Sequence, residues 1–272
     1  MAAPARSTKT DVSPREAEDA LDLDVPATVV CAFCGDADCG GCANERSKSG
    51  IVAVVAWERP GSAPARMWST ARSATKEAEL FFGTLPDGPI APALRFAVLS
   101  ELLASVAMLS FCVPFAIVLA PGWLKHLVLD PGPRFTALRV VALAVPALAA
   151  ILVVAHAAHG IALDFGARKV GARSAKRRAL RFGLYATGWD VVVGPVGALV
   201  LGVAEGVWAA LGVTQLAIGL PSRSARAFLR GAYGLDGASA TKALRTSHVT
   251  AIVATTLGAL LILAGIAGIA LL

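Results

Sequence analysis

From residue 96 onward the chain alternates long uncharged apolar runs with short basic clusters. Three runs stand out: residues 102–120 (LLASVAMLSFCVPFAIVLA), 140–163 (VVALAVPALAAILVVAHAAHGIAL) and 249–272 (VTAIVATTLGALLILAGIAGIALL). Each supplies the roughly 20 apolar residues that a membrane-crossing helix needs, and Pro146 marks a kink site in the second. A further stretch between Arg181 and Arg223 holds 41 residues interrupted only by Asp190 and Glu205, too many for one crossing. A turn at Gly194-Pro195 leaves twelve residues for the first arm of a hairpin, whereas a turn within GVAEG at 202–206 leaves 20 before it and 17 after. The second choice predicts five spans, at about 97–120, 140–163, 182–201, 206–222 and 249–272, with Glu205 in the headgroup region. The expected fold class is an all-α polytopic membrane protein with a five-helix transmembrane domain over 96–272.

Upstream, Met67, Ala71, Ala74, Ala78 and Phe81 recur at helical spacing opposite Arg66, Arg72, Lys76 and Glu79. This pattern predicts an amphipathic pre-membrane segment within 51–95, either lying in the membrane plane or packed on the cytoplasmic ends of the spans. Residues 1–30 show no periodicity and read as a disordered tail.

Charge segregates along the same lines. Residues 1–95 carry 10 Lys/Arg and 13 Asp/Glu, net −3, and residues 96–272 carry 15 and 6, net +9, which together give the formal +6. The connection after the second span (GARKVGARSAKRRALR) holds seven basic residues and that before the last (PSRSARAFLRGAYGLDGASATKALRTS) holds five. The connection PGWLKHLVLDPGPRFTALR holds three, diluted by Asp130 and Trp123. Positive charge marks the cytoplasmic side, so the N-terminus is expected in the cytoplasm and the C-terminus outside, in a prokaryotic inner membrane.

Composition agrees: 56% apolar residues and a mean hydropathy of +0.66 exceed what a soluble domain carries. The pI near 9.3 does not signal nucleic-acid binding, because the basic residues sit between apolar runs, at a membrane surface. The first thirty residues lack the apolar core of a signal peptide, which places the start in a reducing compartment.

In that compartment CAFCGDADCGGC, residues 31–42, is a metal site before it is a disulfide pair. Cys31, Cys34, Cys39 and Cys42 form two Cys-x-x-Cys knuckles that match a closed tetrathiolate zinc site, with Gly35 suited to the knuckle turn. A closed site has no open position for chemistry, so one structural zinc ion is expected to fold a small head over 31–50. Two alternatives stay open. Cys34, Cys39 and Cys42 have a ferredoxin-like spacing, although the remaining cysteine downstream, Cys112, lies within a span. The thiols could also serve redox sensing.

Ionisable groups inside spans are costly and default to functional candidates. Asp190 is the deepest carboxylate and is expected to face the bundle interior, toward His156 or His159. His156 and His159 share a helix face at a spacing that suits a metal or proton relay, with Asp164 as an alternative partner. Glu101 precedes the uncharged core of the first span and is expected to snorkel to the interface or pair with a basic loop. No Ser-His-Asp order, phosphate-binding loop, His-Glu-x-x-His or dinucleotide fingerprint is present, so no catalytic residue is assigned. Small residues at Gly202 and Gly206, and at Ala264 and Gly268, fit close helix packing and self-association.

The segment LFFGTLPDGPIAPALRFAVLSELLA followed by FGLYATGWDVVVGPVGALVLGVAEGVWAALGVTQLAIGL resembles the Yip (Ypt-interacting protein) family of five-span membrane proteins, particularly its prokaryotic branch. The likeness covers roughly residues 80–272 and rests on the Phe81-Phe82 pair, Asp87-Gly88-Pro89, Tyr185, Gly194-Pro195, Trp208 and Gly219-Leu220. The family's Asp-Leu-Tyr-Gly-Pro motif survives only as Asp87-Gly88-Pro89, without its tyrosine. A zinc-ribbon-like head followed by Trp57-Glu58-Arg59 is similar to prokaryotic members. The resemblance implies a non-enzymatic membrane protein with a cytoplasmic N-terminal region, related to proteins implicated in vesicle traffic through Rab-type GTPases. Together with the head it gives the expectation of a scaffold that recruits an unidentified cytoplasmic protein, with a small transporter using Asp190, His156 and His159 and a thiol redox sensor as alternatives.

Overall fold

In the computed structural model, which describes residues 54–270, helix is the only regular structure among the described residues. The tetracysteine segment and the N-terminal tail lie outside them. A short 3₁₀ turn at Ala56–Glu58 precedes α1 (Ala63–Lys76), α2 (Ala78–Gly83), α3 (Ile90–Leu119), α4 (Pro121–Leu129) and α5 (Pro131–Lys169). Then follow α6 (Lys176–Ala186), α7 (Gly188–Val193), α8 (Pro195–Ala204), α9 (Val207–Ala217), α10 (Leu220–Tyr233) and α11 (Gly237–Ala270).

Prolines and glycines set these boundaries. Pro121, Pro131, Pro195 and Pro221 each open a helix from its first turn, where their missing N–H is an orphan in any case. Gly206 and Gly219 precede α9 and α10 with φ of 92° and 77°, values that a side chain disfavours. The hairpin turn expected within 202–206 falls there, at Glu205-Gly206. Gly194-Pro195 also breaks the chain, bending α6–α7 against α8 by 57°. Both sites therefore interrupt the segment, because proline cannot donate to the preceding turn and pushes Gly194 into extended backbone. Gly206 consequently lies in a turn and not on a packing face.

The core forms where α1, α2, α6, α7 and α10 close around the N-terminal half of α3, the C-terminal half of α5 and the start of α11. Phe182 is its hub, with ring centroids 4.6 Å from Phe82 and 4.8 Å from Phe228. The amphipathic stripe of 63–82 is packed into this base: Ala71, Ala74, Ala78, Phe81 and Phe82 are buried, and Trp189 Nε1 donates to the Ala74 carbonyl at 2.9 Å.

Beyond Ser105 on α3, before Ala149 on α5 and beyond Ser247 on α11 the described side chains are mostly exposed and apolar, and form a shaft. Helices α3 and α5 are long and apolar enough to cross a membrane, and the bent α6–α8 adds a third if counted as one span. Only 11% of the most apolar window of α3 and of α5 is buried against protein. An uncovered apolar surface of this extent is stable against lipid and not against water. Helices α8 and α9 have 10 and 11 residues, about 15 Å each, half the roughly 30 Å of a bilayer core.

Candidate functional site

At the junction of base and shaft, Glu101 from α3, His156 from α5 and Asp190 from α7 converge, each offering a ligand atom within 4.8 Å of the others. His156 Nε2 lies 3.0 Å from Asp190 Oδ2 and 3.6 Å from Glu101 Oε1. The first distance is a hydrogen bond, in which the imidazole N–H donates to the carboxylate; the second is not.

Each side chain is placed by local sequence. Glu101 belongs to the buried stripe Ala93, Phe96, Ala97, Ser100, Glu101, Ala104 and Ser105, whose spacings of three and four residues keep one face of α3 inward. It neither snorkels nor meets a basic loop: its side chain is 0% exposed, because the helix starts at Ile90 and carries residue 101 into the bundle. His156 is fixed by the closest approach between α5 and α6. A Cβ on Gly183 would overlap the His156 carbonyl, and one on Gly160 would overlap that of Ala179. Asp190 follows the break at Thr187, whose Oγ1 donates to the Leu184 carbonyl, and is held beside Trp189, itself edge-on to His156 at 6.0 Å.

The electrostatics are unbalanced. Neither carboxylate oxygen of Glu101 has a hydrogen-bond partner among the described residues, nor do the nearby Ser100 and Ser105 hydroxyls. Burying a carboxylate without donors costs several kcal/mol, on the order of 3–5 when a partner is missing. The Asp190 side chain remains 43% exposed, so the cluster is closed at Glu101 and open at Asp190.

His159 stands outside the cluster. Three residues from His156, it is rotated about 60° around the helix axis, which turns its ring to Phe182 and to His248 at 5.9 and 6.0 Å. Asp164 pairs with neither histidine; it accepts from Ala175 N, Ser174 Oγ and Tyr233 Oη and meets Arg168 Nε at 3.0 Å. Burial, and then the hydrogen bond to Asp164, push the Tyr233 hydroxyl above its ordinary pKa.

Sequence reasoning passed over a second buried centre. Arg181 is fully buried, pairs with Glu58 at 3.0 Å and donates to the Pro89 carbonyl at 2.8 Å, while Tyr185 donates to the same carboxylate at 2.5 Å. Two of the elements that carried the family resemblance, Asp87-Gly88-Pro89 and Tyr185, are part of it. A Cβ on Gly88 would overlap the Arg181 guanidinium, so Asp87-Gly88-Pro89 is a glycine turn shaped around an arginine. With its acceptors supplied by Glu58 and the Pro89 carbonyl, this centre ties Trp57-Glu58 to α6.

Comparison with family models, with curated proteins and with solved structures finds no match to this chain.

Proposed function

We propose that this chain is a small membrane transporter that handles a cation at Glu101, His156 and Asp190. The observation that carries the reading is the Glu101 carboxylate, fully buried, without a hydrogen-bond donor, and facing an imidazole and a second carboxylate. A buried ionisable group inside an apolar helix marks an ion or proton site by default. The broken helix beside Asp190 supports the same reading, since interrupted helices line ion sites in membrane proteins.

The topology proposed with it has α3, α5 and the part of α11 beyond His248, which is free of Asp, Glu, Lys and Arg to residue 270, as crossings. Helices α8 and α9 form a hairpin that does not cross. Its tip carries Glu205, which pairs with Lys76 at 3.0 Å and Arg72 at 3.4 Å on α1. Because α1 precedes the first crossing, the tip returns to the N-terminal face. The five crossings expected from hydropathy thereby reduce to three, and both schemes keep the termini on opposite faces. The tetracysteine segment, proposed as a zinc-bound cytoplasmic knob that holds a partner, is accessory to this unit, and the Yip-like order of motifs describes the same bundle.

Proteoliposomes loaded with a pH dye or a divalent-cation dye test the reading. Wild-type protein should carry one of the cations, and Glu101→Gln should abolish the flux in protein that still elutes as folded. Flux through neither, or flux indifferent to Glu101→Gln, would return the molecule to the recruitment reading.

A further inference from the structure

We infer that the cation held at Glu101, His156 and Asp190 is a divalent transition-metal ion. The inference rests on the cation-site reading and names its substrate class.

Charge gives the valence. With both carboxyl groups ionised and the imidazole neutral the ligand set sums to −2, which a divalent ion neutralises and a monovalent ion does not; Glu101 and Asp190 give up any proton they hold as the ion enters. The donors give the softness, because imidazole favours zinc-like and iron-like ions while two carboxylates extend the range toward manganese. Calcium and magnesium want six or more oxygen ligands, which this set does not supply.

Geometry agrees. Metal–ligand bonds of about 2.0–2.2 Å place neighbouring ligand atoms of a tetrahedral set roughly 3.3–3.6 Å apart. The distances from His156 Nε2, 3.0 Å to Asp190 Oδ2 and 3.6 Å to Glu101 Oε1, bracket that edge, and all three atoms lie within 4.8 Å. An ion entering here takes the Nε2 lone pair of His156, the ring proton moving to Nδ1 so that the imidazole stays neutral, and replaces the hydrogen bond to Asp190. It also gives Glu101 the partner that its buried oxygens lack. The open side at Asp190 leaves a fourth position for water or for exchange, which a closed structural site would not have.

The test uses the full chain in detergent with Cys31, Cys34, Cys39 and Cys42 all changed to Ser, so that the thiolates cannot take up metal, and Co²⁺ as the probe. One saturable Co²⁺ with visible d–d bands, displaced by Zn²⁺, is expected. His156→Ala and Asp190→Asn should each weaken it by more than about 100-fold, beyond the effect of losing an outer-shell partner. Should His156→Ala fail to fold, the near-isosteric Glu101→Gln carries the test, with the rise of the unfolding temperature on adding Co²⁺ as readout. Co²⁺ bound equally by all variants, or not bound at all, overturns the metal assignment. If proton flux then still depends on Glu101, the cation-site reading stands without the metal; if it does not, both fall.

Discussion

Helix α3 is predominantly apolar in both halves, yet they meet different surroundings. Up to Ser105 it presents Ala93, Phe96, Ala97 and Ala104 to a protein core; beyond it Phe111, Phe115, Val118 and Leu119 are exposed. The base and the shaft are thus built from similar residues under different rules. In the base, backbones approach at glycine contacts, aromatic rings interlock, and among the described residues Arg181 and Asp164 meet partners within the protein, whereas the Glu101 oxygens accept no hydrogen bond. In the shaft no such constraint operates, because lipid tails accept any apolar shape. Hydropathy finds both regions and does not separate them. The Glu101, His156 and Asp190 cluster sits on the boundary, where protein packing is tight enough to bury Glu101 and loose enough to leave Asp190 open.

Breaking the base should have the largest effect. Arg181→Leu leaves Glu58 without its cationic partner, with only Tyr185 among the described residues still donating to it, and should cost about 3–5 kcal/mol, read as a drop of roughly 10 °C in thermal unfolding in detergent. A change under about 1 kcal/mol would mean that the buried pair does not organise the base. The same small substitution made in both regions sharpens the contrast. Gly160→Ala, where a Cβ overlaps the Ala179 carbonyl, should cost about 1–3 kcal/mol. Gly122→Ala, with nothing within 4 Å, should stay within about 0.5 kcal/mol of wild type. Equal costs would erase the distinction between base and shaft.

A smaller effect is expected from alkali. Tyr233 has a folded pKa raised above its unfolded value near 10, so its contribution is complete below about pH 10 and lost as pH rises beyond it. Tyr233→Phe should flatten that alkaline loss, followed by tryptophan fluorescence; an unchanged profile would assign the loss elsewhere. The smallest stability change belongs to Glu205→Gln. Its pairs with Arg72 and Lys76 are 24–52% exposed by side chain and should contribute less than about 1 kcal/mol. The tip is nonetheless the most informative place for topology. In a cysteine-free background, a cysteine at residue 204 should label from the same side as one at 175 and from the opposite side to one at 128. Labelling of 204 together with 128 would restore the five-span scheme.

Sequence alone determined the helical class, the apolar runs, the amphipathic stripe of 63–82 and the turn at Glu205-Gly206, since each follows from residue type at short range. It also singled out His156 and Asp190 as charged or titratable groups in apolar surroundings. Tertiary structure decided what those groups meet. His156 and His159 share a helix face, but a 60° rotation separates a cluster member from a residue packed on Phe182. Whether Glu101 faced lipid or core depended on where α3 begins and which helices cover it, and Arg181 found Glu58 123 residues away in the chain. Local pattern fixes which residues lie on one face. Only the packing of several helices, each constrained by the others, fixes what that face touches.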